Sequence, residues 1–294
     1  MSIPPRRLLL LGAFAALYLI WGSTYLATRI GVESWPPLLL GAIRFLPAGG
    51  LMYGFLRWRG VAAPRLAEWR AAALVGVLLI GCGNGGLSLA QHLGVASGVA
   101  ALATATVPLF SLLFGLFWGQ RQSVLEWAGI GLGLLGIGLL NLGGNLQASP
   151  SGALLILFAA AAWSFGSIWS RHLPLPQGPM ASATQMLCGG AALLLASGLS
   201  GERLQGVPPL AGWLALLYLM LFGSILAFSA YVYLLKHVRP AAATSYAYVN
   251  PVVAVLLGML FADEQMGLAE GLAMLVIISA VVLIGLRRTG KTRP

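Results

Sequence analysis

A chain of 294 residues that is 59% apolar and 8% charged, with a mean hydropathy of +0.89, lies far from soluble domains, which run near roughly 45–50% apolar and about 25% charged. That balance excludes a soluble enzyme or binding module and reads as an integral membrane protein. The formal net charge of +10 implies no nucleic-acid partner, because the basic residues punctuate the ends of apolar runs instead of gathering on a soluble face.

In chain order the apolar runs predict ten membrane helices, near 8–29, 36–56, 71–91, 97–119, 124–143, 152–171, 179–199, 211–235, 241–262 and 268–286. The first follows Arg6 and Arg7 and runs on to Thr28, past the short core of a signal peptide, so it reads as a retained helix. It carries Trp21, Gly22, Ser23 and Tyr25, and the second carries Arg44 and Pro47. The third holds Asn84 and Ser88, the fourth Thr104, Thr106 and Pro108. In the fifth, Gly131, Gly133 and Gly136 fit the dinucleotide pattern G-x-G-x-x-G. No strand precedes them and no acidic residue follows about 20 positions later, so they read as a packing ridge. The sixth holds Trp163, Ser164 and Ser167, the eighth Ser224 and Tyr231, and the ninth Ser245, Tyr246, Tyr248, Asn250 and Pro251.

The chain repeats itself. At an offset of 143 residues Ala100, Pro108, Gly115 and Gln122 fall on Ala243, Pro251, Gly258 and Gln265, and at 144 Gly22-Ser23 falls on Gly166-Ser167. Arg29 falls near Arg171, while helices two and seven share little beyond Gly49-Gly50 and Gly189-Gly190. The two halves, 1–145 and 151–294, meet at the polar, helix-breaking stretch 145–151. Five helices per half force the second half into the membrane upside down. With both termini cytoplasmic, 14 basic residues face the cytoplasm and two, Arg29 and Arg203, the far side, which fixes that orientation. Glycines four apart, such as Gly50/Gly54 and Gly129/Gly133, predict closely packed helices.

All seven acidic residues fall in connections or at helix ends. A membrane carboxylate is the usual device for a cation or a proton, so this pattern argues against a proton-coupled exporter of lipophilic cations and against an intramembrane aspartyl protease. His92, His172 and His237 sit at three separate helix ends, and Cys82 and Cys188 read as small apolar side chains, so neither metal nor cofactor is implied. What the spans hold is neutral polar and aromatic. Pro108 and Pro251 lack an N–H and so free the carbonyls of Thr104 and Ala247, which at membrane depth need a neighbouring group, water or a ligand. A static kink healed by the Thr104 and Ser245 hydroxyls is the plainer alternative. Arg44, the one charge within a span, reads either as a counter-ion for a substrate carboxylate or as a side chain that snorkels outward or bonds the carbonyl freed by Pro47 at Ile43. The second reading is favoured, since helix two offers no other polar group.

Ten spans in two inverted halves, Trp21-Gly22-Ser23 late in helix one, the proline-centred fourth and ninth helices, and Phe261-Ala262-Asp263-Glu264 before a glycine-rich last helix resemble the drug/metabolite transporter superfamily, and within it the EamA-domain members. The resemblance covers essentially the whole chain. Glu264 matches a family glutamate whose counterpart after helix four is here Arg121, which points to a local helix-start role for Glu264. The resemblance implies export of small metabolites through a cavity between helices one, three, four, six, eight and nine. The neutral, aromatic lining is most similar to YddG-type exporters of aromatic and other apolar amino acids.

The sequence-based expectation is therefore an all-α membrane protein of ten transmembrane helices in two inverted five-helix repeats. It is a multi-pass, monomeric bacterial inner-membrane exporter of a small molecule, working by alternating access. Trp21, Asn84, Ser88, Trp163, Ser167, Tyr231, Tyr246 and Asn250 are its predicted substrate-lining residues, and Pro108 and Pro251 its hinges. A multidrug exporter is the alternative within the superfamily. A membrane-embedded lipid-modifying enzyme is the alternative from another class, and it would need a clustered nucleophile, base or metal triad.

Overall fold

A computed structural model describes residues 5–119, 124–142, 150–238, 243, 246–262 and 267–286. The linker residues 145–149, Arg121, Gln122, Arg239, Ser245, Asp263, Glu264, Gln265 and the basic residues from 287 onward lie outside the described residues, as do the side chains of Arg6, Glu126, Tyr248 and Glu270.

Among the described residues ten helical passes follow in order: α1 (Arg7–Val32), α2 (Pro37–Trp58), α3 (Leu66–His92), α4 (Ser97–Trp118), α5 (Val124–Leu142), α6 (Pro150–Trp169), α7 (Pro179–Leu199), α8 (Leu210–His237), α9 (Tyr246–Phe261) and α10 (Leu268–Leu286). Seven of them are long and apolar enough to cross a membrane by themselves, at 20 to 28 residues; a crossing takes about 20. The protein is an all-α membrane protein, and no strand occurs among the described residues.

Helix ends follow local chemistry. Pro37 and Pro179 open α2 and α7 in the first turn, where a missing N–H costs nothing. The Glu68 carboxylate accepts from the Arg65 backbone N–H at 2.6 Å and starts α3, five residues before the apolar run alone predicts. Gly119, at φ +72°, ends α4 in the left-handed conformation that other residues adopt at a cost. A carboxylate from the second half caps a helix of the first. Glu202 accepts from the Leu38 and Leu39 backbone N–H groups at 3.0 and 2.9 Å and from the Ser197 hydroxyl at 2.7 Å, placing negative charge at the positive end of α2.

The halves are bolted together by glycines. A Cβ on Gly49 of α2 would stand 2.9 Å from the Ala183 carbonyl oxygen and the Leu187 nitrogen of α7, and one on Gly190 of α7 would stand 3.0 Å from the Leu46 nitrogen of α2. Each helix therefore rests on the other's backbone, which is how helices associate where lipid removes the hydrophobic drive. Gly76 and Gly189 do the same for α3 and α7. The four-residue spacing is an uneven guide: of the pairs it singles out, Gly50 and Gly54 face open space, whereas Gly133 packs on Leu109 of α4.

One kind of tie recurs, once in each half. Arg29 near the end of α1 donates to the Gln91 carbonyl at the end of α3 (3.0 Å), and Arg171 just past α6 donates to the Leu235 carbonyl near the end of α8 (2.7 Å). A cation on the last carbonyls of a helix is favourable by charge and by hydrogen bond.

Candidate functional site

Three helices are locally widened to π-helical turns: α1 at Ala16–Trp21, α3 at Val77–Asn84 and α8 at Leu219–Phe228. Such turns carry an extra residue per loop, release carbonyls from the regular ladder and concentrate at functional sites. Shifting the α3 turn by 143 residues lands it inside the α8 turn. The fourth pass is interrupted instead. Its helix stops at Thr104 and resumes at Val107, one residue before Pro108.

These irregularities surround one cavity of about 630 Å³, counting space open to solvent. Its wall takes Trp21, Thr24 and Tyr25 from α1, Arg44 and Phe45 from α2, and Gly83, Asn84 and Leu87 from α3. It is completed by Thr104 and Val107 of α4, Ala159, Ala160 and Trp163 of α6, Gly223 and Phe228 of α8, and Tyr246 of α9. Part of the wall backs onto an aromatic box. The Trp21 ring lies 5.0 to 5.5 Å from those of Trp163, Tyr231 and Tyr246, with Trp163 and Tyr246 edge-on to it, an arrangement that matches negative ring faces to positive edges.

Of the eight predicted lining residues, Trp21, Asn84, Trp163 and Tyr246 stand in the cavity wall. Tyr231 and Ser167 lie behind Trp163 in a closed ring of hydrogen bonds. Trp163 Nε1 donates to the Tyr231 oxygen at 3.1 Å, and the Ser167 hydroxyl donates to the Trp163 carbonyl at 2.6 Å. The remaining Tyr231–Ser167 contact at 2.7 Å then takes the tyrosine proton, because the serine proton is already spent. Every hydrogen in that ring is committed, so it holds the Trp163 indole and has no donor left for a ligand. Asn250 is buried between α1 and α9. In the orientation that satisfies it, its amide donates to the Tyr246 and Leu17 carbonyls at 3.2 and 3.1 Å. Ser88 is buried on α3, outside the cavity wall.

The polar wall is part committed, part free. Thr104 donates to the Ala100 and Ala101 carbonyls (3.0 and 2.9 Å), so Tyr25 is the donor in their 2.6 Å contact. Asn84 donates its amide to the Leu79 carbonyl five residues back, 3.3 Å away, which the π turn exposes. Asn84 lines the cavity, and its own side-chain oxygen has no hydrogen-bond partner among the described residues.

Arg44 corrects the sequence reading. It does not snorkel and does not bond Ile43. It is 7% exposed, its Nε donates to the Ser224 hydroxyl of α8 at 2.8 Å, and its guanidinium lies over the Phe45 ring, 4.5 Å from the centroid. The missing polar partner comes from another helix. Ser224 was legible as a mid-depth polar residue; its pairing with Arg44 was not, because helical periodicity places residues on a face without saying which helix that face meets. Thr24 is polar but is not singled out beside Ser23, and Phe45, Gly83, Gly223 and Phe228 have no polar or periodic signal that singles them out.

The comparisons bear on the whole chain. The model of the "EamA-like transporter family" matches twice, over residues 8–142 and 150–286. The chain belongs to the EamA-like transporter family. The double match gives it two EamA repeats. It is similar to the "Uncharacterized inner membrane transporter YedA" of Escherichia coli (strain K12), 53% identical over 282 residues that span 96% of this chain and 92% of that protein. It also resembles "Protein PecM" of Dickeya dadantii (strain 3937), 29% identical over 271 residues, covering 90% and 88% of the two chains. A solved crystal structure shares the fold with a TM-score of 0.68 at 24% identity, over 95% of this EamA chain and 97% of the other.

Proposed function

We propose that this EamA protein exports aromatic and other apolar amino acids from the bacterial cytoplasm across the inner membrane, by alternating access around its central cavity. The observation that carries the reading is the aromatic box of Trp21, Trp163 and Tyr246 beside the unpartnered Asn84 carbonyl. Flat apolar surface suits an aromatic or aliphatic side chain, and a free carbonyl at membrane depth suits an ammonium donor. The similarity to a protein named as an inner membrane transporter supports the compartment. The 14-to-2 distribution of basic residues supports cytoplasmic termini.

In this reading the units 1–145 and 151–294 are inverted halves that rock about the cavity as a monomer. The break before Pro108 and the proline at 251 are the bending elements, and transport is downhill. Among the described residues no carboxylate lines the cavity, which disfavours the multidrug, lipophilic-cation alternative. The test is counterflow in proteoliposomes. Labelled phenylalanine, tyrosine or leucine is expected to exchange against internal unlabelled substrate, with a lipophilic cation such as tetraphenylphosphonium as control. Exchange of the cation and of none of the amino acids would sink the reading.

A further inference from the structure

Arg44 is a charge in an expensive place. A guanidinium stays protonated in proteins, and a lone charge at membrane depth normally finds a counter-ion, a cavity or water. Among the described residues the one ion pair is Arg29–Glu33, at 3.8 Å, and the partner of Arg44 is a neutral hydroxyl.

The local backbone is nonetheless shaped around that side chain. The π turn in α8 offers the Leu219 carbonyl to the Ser224 hydroxyl, which donates to it at 3.1 Å. The serine lone pairs are thereby left for Arg44 Nε. One residue earlier, Gly223 leaves the room the guanidinium fills, since a Cβ there would stand 2.9 Å from Arg44 Nη2. The Gly223 carbonyl is occupied by Trp21 Nε1 at 3.2 Å, so it does not compete for the guanidinium. Nε is anchored, and Nη1 and Nη2 have no hydrogen-bond partner among the described residues on a side chain that lines the cavity.

From this geometry we infer that Arg44 is the anion-binding group of the cavity and takes the carboxylate of the substrate through Nη1 and Nη2. A carboxylate accepts two parallel N–H bonds from a guanidinium fork, and the ligand supplies the negative charge that no described protein group provides. The inference rests on the transport reading above and narrows it: substrates carry a carboxylate next to an apolar tail, and bare cations are repelled. Ser224 is the positioning residue that aims the fork.

The test is direct binding of three labelled probes to the purified protein in nanodiscs: phenylalanine, 3-phenylpropionate, which keeps the carboxylate and lacks the ammonium, and phenethylamine, which keeps only the ammonium. Wild type is expected to bind both carboxylates better than the amine. Arg44→Gln is expected to weaken both carboxylates by about 10–100-fold while leaving the amine unchanged or tighter. Arg44→Lys keeps the charge without the fork and falls between, and Ser224→Ala, which leaves the charge in place, weakens the carboxylates by about 3–10-fold. These last two variants carry the test if the glutamine variant fails to fold. Equal loss of all three probes in Arg44→Lys and Ser224→Ala means a structural latch and overturns the inference. So does wild-type affinity for phenylalanine in Arg44→Gln, which leaves the amino-acid reading standing. Arg44-dependent binding of 3-phenylpropionate without binding of phenylalanine supports the site and sinks the amino-acid reading. Failure of wild type to bind either carboxylate sinks both.

Discussion

In α4 the chain leaves the helix at Ala105 and Thr106 and resumes at Val107, just before Pro108, whereas α9 runs unbroken from Tyr246 to Phe261 through Pro251. The prolines are equivalent in the repeat, so their surroundings make the difference. Before Pro108 stand Thr104 and Thr106, whose hydroxyls bond back to carbonyls at Ala100, Ala101 and Ala103 and so compete with the helix ladder. Beyond the break the Val107 carbonyl is taken by the Ser164 hydroxyl of α6 at 2.7 Å. At the matching positions α9 has Ala247 and Val249, with no hydroxyl, and Asn250 in place of Val107. The Asn250 amide ties α9 to its own Tyr246 carbonyl and to α1. One copy of the duplicated helix has become a joint and the other a strut. Other features stayed alike, in the π turns of α3 and α8 and the arginine ties of α1 and α6.

The sharpest way to break this comparison is to remove each proline in turn. Pro108→Ala restores the N–H that closes α4 onto the Thr104 carbonyl. Because an interior proline disfavours a continuous helix by ~3 kcal/mol, counterflow is expected to fall by about 30-fold or more, with the folded protein as abundant as wild type. Pro251→Ala straightens a helix that is already continuous and is expected to cost about threefold, a fraction of that penalty. Equal loss in both variants would restore two symmetric hinges; no loss in either would leave the prolines with no part in transport. Next in size is Thr104→Val with Thr106→Val, which makes the approach to Pro108 resemble that of Pro251. Each hydroxyl contributes ~1 kcal/mol, so each is expected to slow counterflow by about fivefold. Wild-type rates in the double variant would show that the hydroxyls do not hold the break.

How much of this was legible in the sequence depends on the range of the interaction. Ten passes follow from run length, because a bilayer demands about 20 apolar residues. The errors lie where caps decide, as at Glu68, which starts α3 at Leu66 instead of 71. The aromatic part of the cavity wall, Trp21, Trp163 and Tyr246, is legible because large rings with polar handles at mid-span stand out against aliphatic neighbours. The layer behind it is not: Tyr231 and Ser167 look the same in sequence as residues in the wall, and only their mutual bonds separate them. The π turns leave no residue signature, since glycines such as Gly81, Gly83 and Gly223 are common throughout the spans. Arg44 is legible as an anomaly and illegible as a site, because its partner and its cavity come from helices far along the chain.

A smaller effect tests the α4 joint from its neighbour. Ser164→Ala removes the 2.7 Å bond that ties α6 to the Val107 carbonyl, and a buried hydrogen bond is worth ~1 kcal/mol. Thermal unfolding in detergent is expected to show that loss, with counterflow falling more than in a Ser88→Ala control, whose hydroxyl stands outside the cavity wall. Identical behaviour of the two serine variants would detach Ser164 from the joint.

The smallest effect tests the strut. Asn250→Val gives α9 a valine, the residue that α4 has at the matching position, and removes the amide bonds to the Tyr246 and Leu17 carbonyls. Side-chain hydrogen bonds between membrane helices are worth ~0.6 kcal/mol on average, so the melting temperature should drop by only a few degrees. The informative measurement is the cycle with Pro251→Ala. If Asn250 is what keeps α9 rigid across its proline, freeing it lets the kink take part in the motion. Pro251→Ala should then slow counterflow more in the Asn250→Val background than in wild type. The two residues are adjacent, so non-additivity is the signature of a shared element, and additive effects would show that the rigidity of α9 has another source.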